Sequence, residues 1–182
     1  QAIEYFSVAH NDEFTTIGAE AFMNSSLREV DLFDSVTTIG ARAFAGCAQL
    51  EELTLPDSLT TIGEGALDGL TGLKKLVIKC DPALIPAGVF ANMPNLSEVT
   101  IESGAVPAHM FAGSGVKALT LGEGVTEIGE SAFADTLLSA ADLKHVTAIG
   151  AGAFANTAMT SVELPQAAAI GEGAFEGSAL ES

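Results

Sequence analysis

One motif returns along this chain at a nearly fixed interval, and that limits its fold more than any other property. Gly-x-x-Ala-Phe follows an Ile again and again. Its aromatic position falls at Phe22, Phe44, Phe90, Phe111, Phe133, Phe154 and Phe175, and Leu67 fills the remaining place. The intervals are 22, 23, 23, 21, 22, 21 and 21 residues. Self-similarity at a period of roughly 20–50 residues marks stacked repeats, each too small to bury its own apolar side. The chain holds 10 Phe, 1 Tyr and no Trp. One repeated slot explains that bias, because most of the Phe residues occupy it.

The other slots of the unit are equally regular. Before the ladder position stands a small residue in Ala21, Ala43, Ala66, Ala132, Ala153 and Ala174, with Val89 and Met110 as exceptions. The opening apolar residue is Ile17, Ile39, Ile62, Ile85, Ile128, Ile149 and Ile170, with Val106 as the variant. Further on come alternating apolar pairs: Val30/Leu32, Leu53/Leu55, Leu76/Ile78, Val99/Ile101, Leu119/Leu121, Ala141/Leu143 and Val162/Leu164. Alternation of period two is a short strand with one buried face. The unit therefore reads L-x-x-L-x-L, a turn, then Ile-Gly-x-x-Ala-Phe. It predicts an α/β fold, a right-handed leucine-rich-repeat solenoid of about eight repeats of 21–23 residues. A parallel sheet of short strands would line its concave face. The whole of 1–182 reads as one such domain.

The residue after the opening Ile or Val is Gly18, Gly40, Gly63, Gly129, Gly150 or Gly171, but also Pro86 and Pro107. Proline fixes φ near −65°, so this slot cannot demand positive φ, and glycine serves there for size or by drift. Proline also suits the first turn of a helix, and Glu20, Glu64, Glu130 and Glu172 suit its positive end. A single α- or 3-10-type turn is expected to carry each Ala-Phe. The ends depart from the unit. Residues 1–16 read as a degraded repeat, with Phe6 and Val8 as a strand pair and Phe14 as core. Residues 170–182 open a repeat and stop at Ser182 before its strand, without the polar cap that closes most solenoids. The start at Gln1 suggests a lost leader or a cut from a longer protein, and the open end suggests a longer array or a covering molecule.

The order L-x-x-L-x-L-P-x-x-L-x-x-I-G-x-x-A-F-x-x-C closely resembles the BspA-type bacterial leucine-rich repeat family. The best stretch runs through Leu50, Leu53, Leu55, Pro56, Leu59, Ile62, Gly63 and Ala66 to Leu67, which replaces the family's Phe. Ala43-Phe44-x-x-Cys47 matches the Phe-x-x-Cys ending. The remaining Cys places hold Ser25, Leu70, Met93, Ser114, Thr136, Thr157 and Ser178. The resemblance implies a bacterial protein that is secreted or displayed at the cell surface, where many relatives are adhesins or bind host or neighbouring-cell proteins. It implies no catalytic residue.

The remaining chemistry agrees. With 24 acids against 7 bases the formal charge is −17. That argues against nucleic acid and against anionic membrane surfaces, and it fits solubility or a basic partner. No apolar run reaches the ~20 residues of a membrane span. There is no H-E-x-x-H, G-x-S-x-G or P-loop, and Ser114 lies between glycines without a nucleophile elbow. His10, His109 and His145 fall in separate repeats and read as solvated loop residues, so neither metal nor cofactor is expected. Cys47 precedes a strand and Cys80 follows one. A short strand at ~3.3 Å per residue holds such positions roughly 10 Å apart, whereas a disulfide needs Cα atoms within about 7 Å. Both are expected as free thiols, Cys47 buried and Cys80 partly exposed.

A partner would meet the outward strand positions, Asp31, Thr54, Val77, Thr100, Thr120, Asp142 and Glu163. Beside them runs a second row, Glu29, Glu52, Lys75, Glu98, Ala118, Ala140 and Ser161. Phe33 is a further candidate, as an exposed aromatic anchor or as a ring buried under the preceding coil. The expected role is protein binding or adhesion and not catalysis. The competing reading is a structural spacer that associates end to end.

Overall fold

The computed structural model describes residues 3–7 and 13–180. Val8 and His10 lie outside them, as do Gln1 and Ser182. The chain forms two compact units, one ending at Cys80 and one beginning at Asp81.

The first unit carries the strands β1 Tyr5–Ser7, β2 Thr16–Ile17, β3 Glu29–Asp31, β4 Thr38–Ile39, β5 Glu52–Leu55, β6 Thr61–Ile62 and β7 Lys75–Ile78. They make two parallel sheets, ordered β1-β3-β5-β7 and β2-β4-β6. Each larger strand comes from the L-x-L pattern, because alternate side chains point to opposite faces. Leu53, Leu55, Leu76 and Ile78 are sealed, while Glu52 and Lys75 face water. Register is one repeat to the next, Leu53 beside Leu76 and Leu55 beside Ile78. Phe6 pairs with Val30 and packs on Phe14 and Phe22, so the opening repeat does join the core.

The Gly-x-x-Ala-Phe arcs are not helical, which corrects the expectation of an α- or 3-10-type turn there. No α-helix occurs among the described residues, and the 3-10 turn Pro82–Leu84 lies outside those arcs. Each arc instead has two left-handed residues, one two positions before the ladder residue and one two positions after. Around Phe22 they are Glu20 and Asn24, around Phe133 they are Ser131 and Asp135, and around Phe175 they are Gly173 and Gly177. A helix keeps its N–H groups for its own carbonyls. Here the alternation of hand turns every second N–H toward the next coil: Glu20, Phe22 and Asn24 donate to the carbonyls of Ala41, Ala43 and Ala45. Ser131, Phe133 and Asp135 do the same to Ala151, Ala153 and Ala155.

Coils bonded this way lie close, and that explains the glycine slot. A Cβ on Gly63 would stand 2.3 Å from the amide nitrogen of Ala41, and one on Gly150 would stand 2.5 Å from that of Glu130. None of the six glycines has positive φ. Size is the reason for the glycine, except at Gly18, where a Cβ would meet nothing within 4 Å. The rings stack as the coils do. Phe22 and Phe44 lie 5.4 Å apart in the first unit, and Phe111, Phe133 and Phe154 follow at 5.2 and 5.5 Å in the second, with planes within 11° of parallel. Each buried ring contributes about 1.5–3 kcal/mol from removal of apolar surface, and stacking adds about 0.5–1.5 kcal/mol per pair.

The second unit carries β8 Glu98–Val106, β9 Ala118–Ile128, β10 Ala148–Ile149 and β11 Ala169–Ile170, all parallel and in that order. Val106 follows Ile101 by five positions, whereas Ile128 follows Leu121 by seven. The excess in β9 is absorbed by two register shifts along the pair. Gly122 permits the approach, since its Cβ would fall 2.2 Å from the carbonyl oxygen of Glu102.

The expected strands at Ala141/Leu143 and Val162/Leu164 do not form. Spacing again gives the reason. Ile62 follows Leu55 by seven positions, but Ile149 follows Leu143 by six and Ile170 follows Leu164 by six. In the longer corner Leu59 N–H donates to the carbonyl of Pro56, one residue beyond the strand. In the shorter corners Val146 donates to Leu143 and Ala167 to Leu164. The turn has moved back onto the last strand residue and taken its carbonyl from the ladder. Asp142 reinforces this, because its Oδ1 accepts the N–H of Lys144 at 3.1 Å. Such local capture by Asp competes with sheet pairing.

Candidate functional site

Failure of those two strands opens a groove of about 620 Å³ in the second unit, lined by Leu119, residues 140–144 and residues 161–163. β9 forms its wall. Residues Ala118–Leu121 pair with β8 on one side, whereas β10 meets β9 only at Glu127 and Ile128. Among the described residues, the main-chain N–H groups of 140–143 and 161–163 donate to no main-chain carbonyl. Inner side chains feel the gap as well. Leu119, Ala141 and Val162 are half-exposed at the slot where Leu53 and Leu76 are fully buried.

The groove is acidic at its rim. Asp142 and Glu163 are both exposed. The N–H of Lys144, and then its ammonium at 3.1 Å, hold the Asp142 carboxyl below the usual aspartate value. In the first unit the corresponding polar cluster is Arg28, Glu29, Glu51 and Glu52, which line a smaller hollow of about 360 Å³. There the Lys74 ammonium, 2.8 Å from Glu51, holds that carboxyl low.

The proposed outward row is thus split by the fold. Thr54 stands beside Val77, both half-buried, and Thr100 stands beside Thr120. Asp31 is exposed at the end of β3, beside Ser7. Asp142 and Glu163 share a concavity. Phe33 is half-buried two positions after the end of β3. Leu119, Ala141, Val162 and Lys144 were not singled out by the sequence reading. Their signal is Ala141 in a slot otherwise held by Leu or Val, together with the shortened corner after Leu143.

Other expected roles resolve as follows. Cys47 and Cys80 are free, and both are buried. Cys80 is 1% exposed, so the expectation of a partly exposed thiol is corrected: it lies inward at the end of the coil after β7. The Cys47 thiol donates to the carbonyl of Phe22 at 3.0 Å. In the second unit Ser114, Thr136 and Thr157 occupy the same slot and donate to the carbonyls of Phe111, Phe133 and Phe154. A buried hydroxyl so satisfied costs little, and Ser114 is thereby a structural residue. His109 is exposed in a left-handed turn, but His145 is half-buried with Nε2 3.9 Å from Glu123, which corrects its reading as a solvated residue. No helix among the described residues is long and apolar enough to cross a membrane.

Two solved structures share this architecture. A leucine-rich repeat protein from Bacteroides ovatus ATCC 8483 is 25% identical, with a TM-score of 0.56 over 96% of this chain and 58% of that one. A leucine-rich repeat protein from Eubacterium ventriosum ATCC 27560 is 23% identical, with a TM-score of 0.57 over 94% of this chain and 42% of that one. The chain therefore spans about half the length of these solved relatives. None of the curated proteins matches it. The model of the BspA type leucine rich repeat region matches in 6 copies, over residues 15–139 and 84–182. Arcs, ladder and repeat match agree, and the chain belongs to the BspA-type leucine-rich repeat family.

Proposed function

We propose that this chain is a protein-recognition module of a bacterial surface or secreted protein, acting in adhesion and not in catalysis. One observation carries the reading: the core is built from inward slots, and four of the outward strand positions are left exposed. Asp31, Thr120, Asp142 and Glu163 are exposed between core residues. The family resemblance supports an extracellular setting. The −17 charge favours a basic protein partner over nucleic acid or an anionic membrane.

The test is capture from an extracellular protein extract, comparing the native chain with the triple variant Asp31→Lys, Asp142→Lys and Glu163→Lys. Circular dichroism would first establish that both are folded. A protein retained by the native chain and lost by the variant is the expected result. Equal retention would remove the outward carboxylates from recognition, and capture of nothing by either chain would count against adhesion.

A further inference from the structure

One imidazole in the second unit is placed where a proton would change its bonding. His145 stands in the short corner after Leu143. Next to it the Val146 N–H donates to Leu143, and the Thr147 N–H and hydroxyl both donate to the carbonyl of Thr126 on β9. The Nε2 of His145 is buried and finds no hydrogen-bond partner among the described residues. Buried polar atoms are nearly always matched, so an unmatched one asks for a reason. The Glu123 carboxyl stands 3.9 Å from that nitrogen and is itself widely exposed. Glu123 lies between Gly122 and Gly124, in the stretch of β9 where the register with β8 shifts. A carboxylate only accepts, and a bare Nε2 meets it lone pair against lone pair. A protonated ring carries N–H on both nitrogens, and closing the gap by roughly 1 Å would make a charge-assisted bond. The other charged groups around the ring are Glu127 on β9, beside Ala148, and Asp142 and Lys144 on its own coil. The Lys144 ammonium is engaged by Asp142 at 3.1 Å. The Asp142 carboxyl, held low first by the Lys144 N–H and ammonium, also feels the ring when it is charged. The matching corner of the following coil, residues 165–168, carries no charge. Glu123 is the carboxylate that Nε2 approaches.

We infer that His145 is a proton-operated latch: the charged ring donates through Nε2 to Glu123 and ties the corner after Leu143 to β9. The buried, unmatched nitrogen is the open state. The latch closes as pH falls through the range in which an imidazole gains its proton. The partner is gained by the protonated form, so the added hold is present at low pH and lost as pH rises. This goes beyond the recognition reading and does not depend on it, because the latch needs no ligand.

The test is amide hydrogen exchange of the full chain at about pH 7.5 and about pH 5.5, on either side of the imidazole range. It is read at Val146 and Thr147 as protection relative to the chemical rate at each pH. Protection at both amides is expected to rise roughly two- to fivefold at the lower pH, the scale of a partly exposed ion pair. Glu123→Gln and His145→Gln should each abolish the rise, and Asp142→Asn should keep it. Both abolishing changes are mild, since Glu123 is exposed and the following coil carries Gln166 two places after Leu164, as His145 follows Leu143. No rise in the native chain would overturn the latch. So would a rise that survives Glu123→Gln, which would give the ring another partner, or one that survives His145→Gln, which would assign the titration to a carboxylate. A rise lost with Asp142→Asn would make Asp142 the partner and would overturn it as well.

Discussion

Leu53 and Leu119 hold the same slot in two different repeats, yet Leu53 is sealed in a four-residue strand and Leu119 looks into a groove. Both units share the Phe stack, the left-handed arcs and the close glycine contacts. The corner between strand and Ile is seven positions long after Leu55, but in the second unit it is five after Ile101, seven after Leu121 and six after Leu143. At six positions the turn claims the carbonyl of Leu143 and no strand forms, whereas the five-residue corner after Ile101 is bridged by β8 itself. Apolar pattern makes a strand available in a repeat, and which carbonyl the following turn takes bears on whether it pairs.

The largest test concerns what the units share. Phe44→Ala and Phe133→Ala each remove a fully buried ring, and each is expected to lower stability by about 3–5 kcal/mol in chemical denaturation. A far smaller loss at Phe133 would mean that the units differ in their cores and not only in their sheets.

A smaller effect sharpens the difference itself. One Pro inserted between Leu143 and Lys144 restores the longer corner. The turn should then take the carbonyl of the inserted residue, and 140–143 should pair with β9. Two or three new main-chain bonds would add about 1–3 kcal/mol and slow amide exchange there by roughly tenfold or more. Unchanged exchange would move the cause from corner length to the weak strand preference of Ser139, Ala140 and Ala141.

The smallest effect is electrostatic. The Asp142 carboxyl is held low by the Lys144 N–H and ammonium. A carboxyl depressed in the folded state stabilises above its unfolded pKa and loses that contribution as pH falls through the folded value. In an NMR titration Asp142 should titrate below a free aspartate, and Lys144→Ala should move it part of the way back. No movement would assign the whole shift to the main-chain donor.

Much of this was legible in the residues. The Phe ladder, the buried alternating pairs of the first unit and the size argument for glycine all follow from sequence slots, because each slot meets its own copy in the next coil. The arcs were misread because Pro86 and Pro107, and the acids Glu20, Glu64, Glu130 and Glu172 in other repeats, fit a helix start equally well. The opposing signal was Asn24, Gly46, Gly69, Asn92, Gly113, Asp135, Asn156 and Gly177, each two places after the ladder residue. Gly, Asn and Asp are the residues that tolerate left-handed backbone. The groove was hidden because hydrophobic pattern reports which side chains are inward, not which carbonyl a turn will claim. Cys80 was misplaced for a related reason: its position after a strand says nothing of how the coil bends inward.

The arcs carry one more consequence, for how such a chain can change length. From the opening apolar residue to the ladder residue is five positions in every repeat, Ile17 to Phe22 as much as Val106 to Phe111 and Ile170 to Phe175. That arc is clamped to its neighbours through alternate amides and admits no insertion. All the freedom of length lies elsewhere, chiefly in the corner after the strand. Deletions and insertions are thereby steered to the edge of the strand face, so that drift in repeat length reshapes that face while the stacked rings stay in step.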